Sequence, residues 1–182
     1  MGRLLAIVVL SLAMSGAMAA PPAFVAADVP EARLAGEGEY TWFGMRIYQA
    51  QLWVGPQGYQ GAASATAPFV LELRYARALD GGKIAEASHE QMQKVGVGTV
   101  AQRQSWLQTM RRIFPDVKEG QRIAGAYRAG TAPGVRFYLD GKVLADVSDG
   151  DFARAFFAIW LSPESTAPKL RGALLQNAAP LP

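Results

Sequence analysis

The stretch from Asp149 to Thr166 reads Asp-Gly-Asp-Phe-Ala-Arg-Ala-Phe-Phe-Ala-Ile-Trp-Leu-Ser-Pro-Glu-Ser-Thr. Phe152, Phe156, Ile159 and Trp160 recur at i, i+4, i+7 and i+8, the spacing that aligns side chains along one helix face, and Phe157 and Leu161 widen that face. Asp149 or Asp151 can cap the first N–H groups. Ser162-Pro163 ends the helix, because the residue before proline avoids the helical region. A helix with this much aromatic surface must be buried, either filling the core of a sheet or roofing an apolar ligand cavity.

Working outward from it, Gly134–Leu139 and Lys142–Val147 flank Asp140-Gly141, a strong two-residue hairpin signal, and Gln121–Arg128 reads as a third short strand. Thr99 to Phe114 predicts a helix with Leu107, Met110 and Phe114 in register, capped by Thr99 and stopped by Pro115. Lys83 to Val95 predicts another, stopped by Gly96. Before it, Phe69 to Ala76 alternates as a strand, with Phe69, Leu71, Leu73 and Tyr75 toward a core and Val70, Glu72 and Arg74 toward a polar face. Gly55 to Pro68 reads as an exposed crossover or lid, and Arg33 to Val54 as two or three strands. A short helix near Pro168 to Leu175 closes the chain. The order of strands, helix pair, strands and helices predicts an α+β fold, an antiparallel sheet with helices on one face.

Arg3, the apolar run Leu4 to Ala13 and Ala17-Met18-Ala19 predict a signal peptide over residues 1–19, cut between Ala19 and Ala20. That places the protein in the periplasm or outside the cell. The apolar run is shorter than the roughly 20 residues a spanning helix needs, so no membrane span is expected in the mature chain. Residues 20–31 read as a flexible lead-in and 32–182 as a single domain. The sequence contains no cysteine, which excludes disulfides and thiolate chemistry. A formal charge of +3, interspersed rather than clustered, argues against nucleic acid and supports at most a peripheral attraction to anionic lipid.

Several blocks together resemble the chalcone isomerase-like family, in its bacterial exported branch. They are Gly36 to Trp53 (Gly-Glu-Gly-Glu-Tyr-Thr-Trp-Phe-Gly-Met-Arg-Ile-Tyr-Gln-Ala-Gln-Leu-Trp), Ile113 to Ile123, Phe137 to Lys142 and Asp151 to Pro163, and they follow the family's order. The resemblance implies an open β-sandwich-like fold in which a large antiparallel sheet is covered by helices over an apolar cleft. The family holds plant isomerases that close a flavanone ring and non-catalytic relatives that bind fatty acids, so the fold leaves the activity open. In the plant enzymes an arginine follows the opening glycines, whereas this chain reads Gly38-Glu39-Tyr40. Ile84 falls where the resemblance implies a catalytic tyrosine, Tyr48 near a threonine and Gln91 near an asparagine. The expected function is therefore non-catalytic binding of a hydrophobic or fatty-acid-like small molecule in the cleft. The alternative is an intramolecular lyase or isomerase acting on an unknown substrate.

Candidate ligand-binding residues follow from chemistry. Arg46, Tyr48, Arg74 and Arg77 offer guanidinium and phenol groups that could hold a carboxylate while the cleft buries an acyl chain, and Tyr138, Phe156 and Trp160 offer apolar wall. The competing reading pairs Arg46 and Arg74 with Glu72 on a solvated sheet face. Tyr40, Trp42, Trp53 and Tyr127 could also line the cleft or fill core. His89 is the single histidine and is expected at the surface, since metal sites want several convergent ligands. No cofactor or metal motif is present: Gly96-Val-Gly98 lacks the third glycine of a dinucleotide loop, and the aspartates 146, 149 and 151 lack calcium-loop spacing.

Overall fold

Alternation between Arg33 and Val147 builds a six-stranded antiparallel sheet whose strands lie side by side in chain order. In the computed structural model, which describes residues 20–61 and 66–181, the strands are β1 (Arg33–Trp42), β2 (Met45–Val54), β3 (Phe69–Tyr75), β4 (Arg122–Arg128), β5 (Gly134–Leu139) and β6 (Lys142–Val147). The helices are α1 (Ala23–Asp28), α2 (Gly81–Val95), α3 (Val100–Ile113), α4 (Gly150–Leu161) and α5 (Pro168–Leu174). The predicted signal peptide lies outside the described residues. Among those described, no helix is long and apolar enough to cross a membrane.

Local chemistry sets the boundaries. Asp80 caps α2 by accepting from the Lys83 N–H, so the helix begins at Gly81, two residues before the expected start; it ends at Gly96 in the left-handed region. Thr99 and Gln102 form a reciprocal capping box on α3. Asp149 caps α4 at Phe152 N and also accepts from the Trp106 indole, tying the start of α4 to α3.

The inner sheet face, carrying Leu52, Phe69, Leu71, Leu73 and Phe137, packs under α2, α3 and α4. Phe157 on α4 is buried edge-on to Phe69 at 4.7 Å between ring centroids, directly over Gly125 of β4. A Cβ on Gly125 would stand 3.2 Å from the Phe157 ring, so glycine sets how closely α4 approaches the sheet. The opening glycines do the same for α5: a Cβ on Gly36 would lie 2.0 Å from the Ala173 carbonyl oxygen.

The outer face differs from the sequence reading. Residues 20–31 are not loose: α1 lies there with Val25 and Val29 buried against Trp53, Val70, Ala124, Ala126 and Tyr138. Helices therefore cover both faces, although unequally. Phe24, Val25 and Val29 in this short segment bury enough surface to hold it, and Pro22 accepts the first helical hydrogen bonds. The expected polar face of β3 is likewise covered, with Val70 and Glu72 both buried. Residues 177–181 return to the start of the sheet: Asn177 N–H donates to Ala35 O, and Arg33 donates to the carbonyls of Asn177 and Ala179.

Candidate functional site

Antiparallel register places Tyr40 opposite Tyr48 and Tyr48 opposite Tyr75, so three strands contribute a row of phenols to the inner face. Tyr40 stacks on Tyr48 at 5.1 Å, and Tyr75 meets Tyr48 edge-on at 6.1 Å. This row is one wall of a cavity of about 450 Å³ between the inner sheet face and helices α2 and α4. Leu73, Ile123 and Phe114 extend the apolar floor, while Phe156, Ile159 and Trp160 on α4 form the roof. The volume lies within the range of small-molecule sites.

Helix α2 forms the remaining wall. Ile84, Ala87, Ser88 and Gln91, spaced three and four apart, line the interior, and Lys83, Lys94, Glu86 and Glu90 stand at the rim. Glu86 is held by Arg111 at 2.7 Å, whereas neither Lys83 nor Lys94 forms an ion pair among the described residues. The Thr166 hydroxyl donates to Gln91 Oε1 at 2.6 Å, fixing the amide and leaving its N–H₂ as a donor.

Desolvation on burial pushes the Tyr48 phenol well above the ordinary tyrosine range; the hydrogen bond from Trp160 Nε1 at 3.0 Å pulls the other way without reversing it. Burial raises Tyr75 in the same manner, with the neighbouring Tyr48 adding to the effect. Both phenols stay neutral throughout the physiological range. They can donate and accept hydrogen bonds but are poorly suited to act as bases. The cavity is thus apolar, studded with neutral hydroxyls, and bordered by unpaired ammonium groups.

The sequence candidates divide. Tyr48, Phe156 and Trp160 come together on this cavity, as do Tyr40 and Trp42. Arg46 is exposed and paired with Glu39 at 3.0 Å, not with Glu72. The bulge between Tyr40 and Thr41 changes the register beside it. Arg74 is exposed on the outer sheet face, and the residue near Glu72 is Arg122, at 3.9 Å. Arg77 lies against Met45, its Nη1 3.1 Å from the sulfur. Tyr138 also faces outward, where its ring packs on Phe24 and its hydroxyl donates to Asp28, anchoring α1. Trp53 is on the same outer face. His89 is half-buried rather than superficial, with Nδ1 3.1 Å from Arg103 O, joining α2 to α3. Tyr75, Lys83, Ser88 and Lys94 line the cavity without having been singled out; the parity of Tyr75 with Leu73 and the stripe from Lys83 to Lys94 were signals for them. A broader depression of about 900 Å³ lies across α4, bordered by Tyr59, Gln60 and Gly61, but its charges are committed: Arg154 pairs with Asp151 and Arg171 donates to Leu161 O.

The profile of chalcone isomerase-like proteins matches residues 17–176. The chain belongs to that family. An uncharacterized protein of Haemophilus influenzae is 31% identical over 140 residues, covering 77% of this chain; the match spans 66% of the length of that relative. A crystal structure of an Arabidopsis thaliana fatty-acid binding protein superposes with a TM-score of 0.64 at 15% identity, over 82% of this chain and 89% of that one. The likeness to that structure shows a shared chalcone isomerase-like fold. Tyr48, Ile84 and Gln91, which the family resemblance sets at or near the plant site positions, all line the same cavity. Gly38, which precedes the missing arginine, packs instead on Leu170 and Ala173 of α5.

Proposed function

We propose that this protein is an exported binding module that holds a fatty-acid-like molecule in the cavity between the phenol row and helices α2 and α4, without covalent chemistry. One observation carries the reading: an apolar chamber of about 450 Å³ walled by neutral phenols, with unpaired Lys83 and Lys94 at its rim. An acyl chain would leave water for Leu73, Ile123, Phe156 and Ile159, at about 0.8 kcal/mol per buried methylene. Its carboxylate would stay at the rim beside one of the two ammonium groups, which lie about three helical turns apart on α2. Ring closure of the chalcone type calls for groups that polarise and protonate the substrate, and Ile84 supplies neither at its position. The fatty-acid binding protein of the same fold is consistent with this preference.

Titration of delipidated protein with a fluorescent long-chain fatty acid tests the proposal. Saturable one-to-one binding is expected, abolished by Ile84→Trp, which fills the chamber. Lys83→Gln with Lys94→Gln should weaken the acid about fivefold or more while sparing its methyl ester, because about 1 kcal/mol of ion pairing is removed. Absence of saturable binding, or turnover of an enone by the pure protein, overturns the reading.

A further inference from the structure

Two hairpins of this sheet use the same two-residue turn with opposite chemistry. Between β5 and β6 the central residues are Asp140 (φ 49°) and Gly141 (φ 78°), the polar pair that a turn with two positive φ values favours. Between β1 and β2 they are Phe43 (φ 47°) and Gly44 (φ 75°). A phenylalanine rarely adopts this region, and the residue is 83% exposed, so little burial offsets the strain. Trp42 and Met45 on either side are 57% and 45% exposed. The Trp42 and Phe43 rings lie 4.9 Å apart, so the tip is a contiguous apolar wedge. Trp42 belongs at once to this wedge and to the cavity wall.

Unpaired cations stand beside the wedge. Arg77 contacts Met45, and Lys83 stands at the adjoining cavity rim; neither forms an ion pair among the described residues. Arg46, also at the start of β2, neutralises Glu39, the nearest acid along β1. Exposed Trp and Phe beside cations match a phospholipid interface, where aromatic rings settle at headgroup depth and cations meet anionic lipid. We propose that the Trp42-Phe43-Gly44-Met45 tip docks on an anionic phospholipid bilayer and brings the cavity mouth to the lipid surface. Docking follows from the tip itself; the further step, that cargo passes between bilayer and cavity there, rests on the binding reading above.

Phe43→Asp is a clean probe, because it recreates the Asp-Gly turn of the second hairpin and should fold at least as well as the wild type. The full chain would be sedimented with vesicles of phosphatidylglycerol and phosphatidylethanolamine, and with pure phosphatidylcholine. The wild type is expected to bind the anionic vesicles. Phe43→Asp should bind about tenfold more weakly or worse. Arg77→Gln should bind about fivefold more weakly, as removal of one surface cation predicts, and phosphatidylcholine should bind less than the anionic mixture. Fatty-acid titration without vesicles should be unchanged in Phe43→Asp, so a loss of cavity binding is read separately from a loss of docking. Equal sedimentation of wild type and Phe43→Asp, or none by either, overturns the proposal. So does a dimer in analytical ultracentrifugation that Phe43→Asp dissolves and vesicles do not, which would assign the tip to a second copy of the chain.

Discussion

Replacing Phe157 by alanine removes a ring with no exposed surface that stands edge-on to Phe69 and to Tyr127 and beside Phe156 at 5.5 Å. Truncation of a buried phenylalanine costs about 3–5 kcal/mol, part lost transfer energy and part residual void. With a urea m-value of about 2 kcal/mol/M, the midpoint should fall by about 1.5–2.5 M at unchanged slope. Gly125 makes the test sharper. An alanine there would meet Phe157 Cζ at 3.2 Å, Cε1 at 3.3 Å and Val135 Cγ2 at 3.4 Å, so in the wild type it overpacks, at about 1–3 kcal/mol. In the Phe157→Ala background the same methyl enters vacated space, and its effect should vanish or become stabilising. Urea unfolding of the four proteins, followed by far-ultraviolet circular dichroism, gives the coupling directly. Costs that add within about 0.5 kcal/mol would refute the idea that the glycine sets the height of α4 over the sheet.

Gly36→Ala should cost about 3 kcal/mol or more, because its Cβ cannot coexist with the Ala173 carbonyl; limited proteolysis should then cut first at α5. Burial raises the Glu72 carboxyl above its ordinary range against the opposing pull of Arg122 and Arg74, and its Oε2 has no hydrogen-bond partner. The folded state thus favours the protonated acid, so stability is fullest below the unfolded carboxyl's range and falls as pH rises through the raised folded value. Glu72→Gln should therefore increase the melting temperature at pH 7 and lose that advantage near pH 4. The buried Tyr75 phenol is also raised, so the unfolded chain ionises first once pH passes about 10. Stability should decline there, and Tyr75→Phe should flatten the decline by about 1.4 kcal/mol per pH unit, measured by urea unfolding from pH 9 to pH 11.

Elements governed by local signals were legible in the sequence. Asp149, Thr99 and Pro163 mark the helix ends, Asp140-Gly141 marks a hairpin, and the i, i+4, i+7, i+8 aromatic spacing identified the helix that roofs the cavity. Placement of the arginines was not legible. Alternation gives two faces but does not say which neighbours reach across them, and a bulge beside Tyr40 shifts the register at Arg46. Tyr138 faces outward although the sequence sets it among the cleft residues, because an aromatic in a strand carries no label for inner or outer face. Its partner Asp28 lies 110 residues away, in a segment whose Pro-rich composition concealed a helix. Tyr75 could have been read as its complement, since it shares parity with three core residues of the same strand.

The return of residues 177–181 to the first strand constrains the order of assembly. Arg33 finds its acceptor 144 positions downstream at Asn177, Tyr59 N–H its acceptor at Ala178, and the Leu181 N–H closes on Pro56. Strand β1 can pair with β2 early, through a hairpin, but its outer side is finished only by a segment synthesised long after it, around Asn177. Contacts of such separation are slow to form. During synthesis the start of the sheet therefore waits with its edge open, and a chain that stops before Asn177 would carry the same opening permanently.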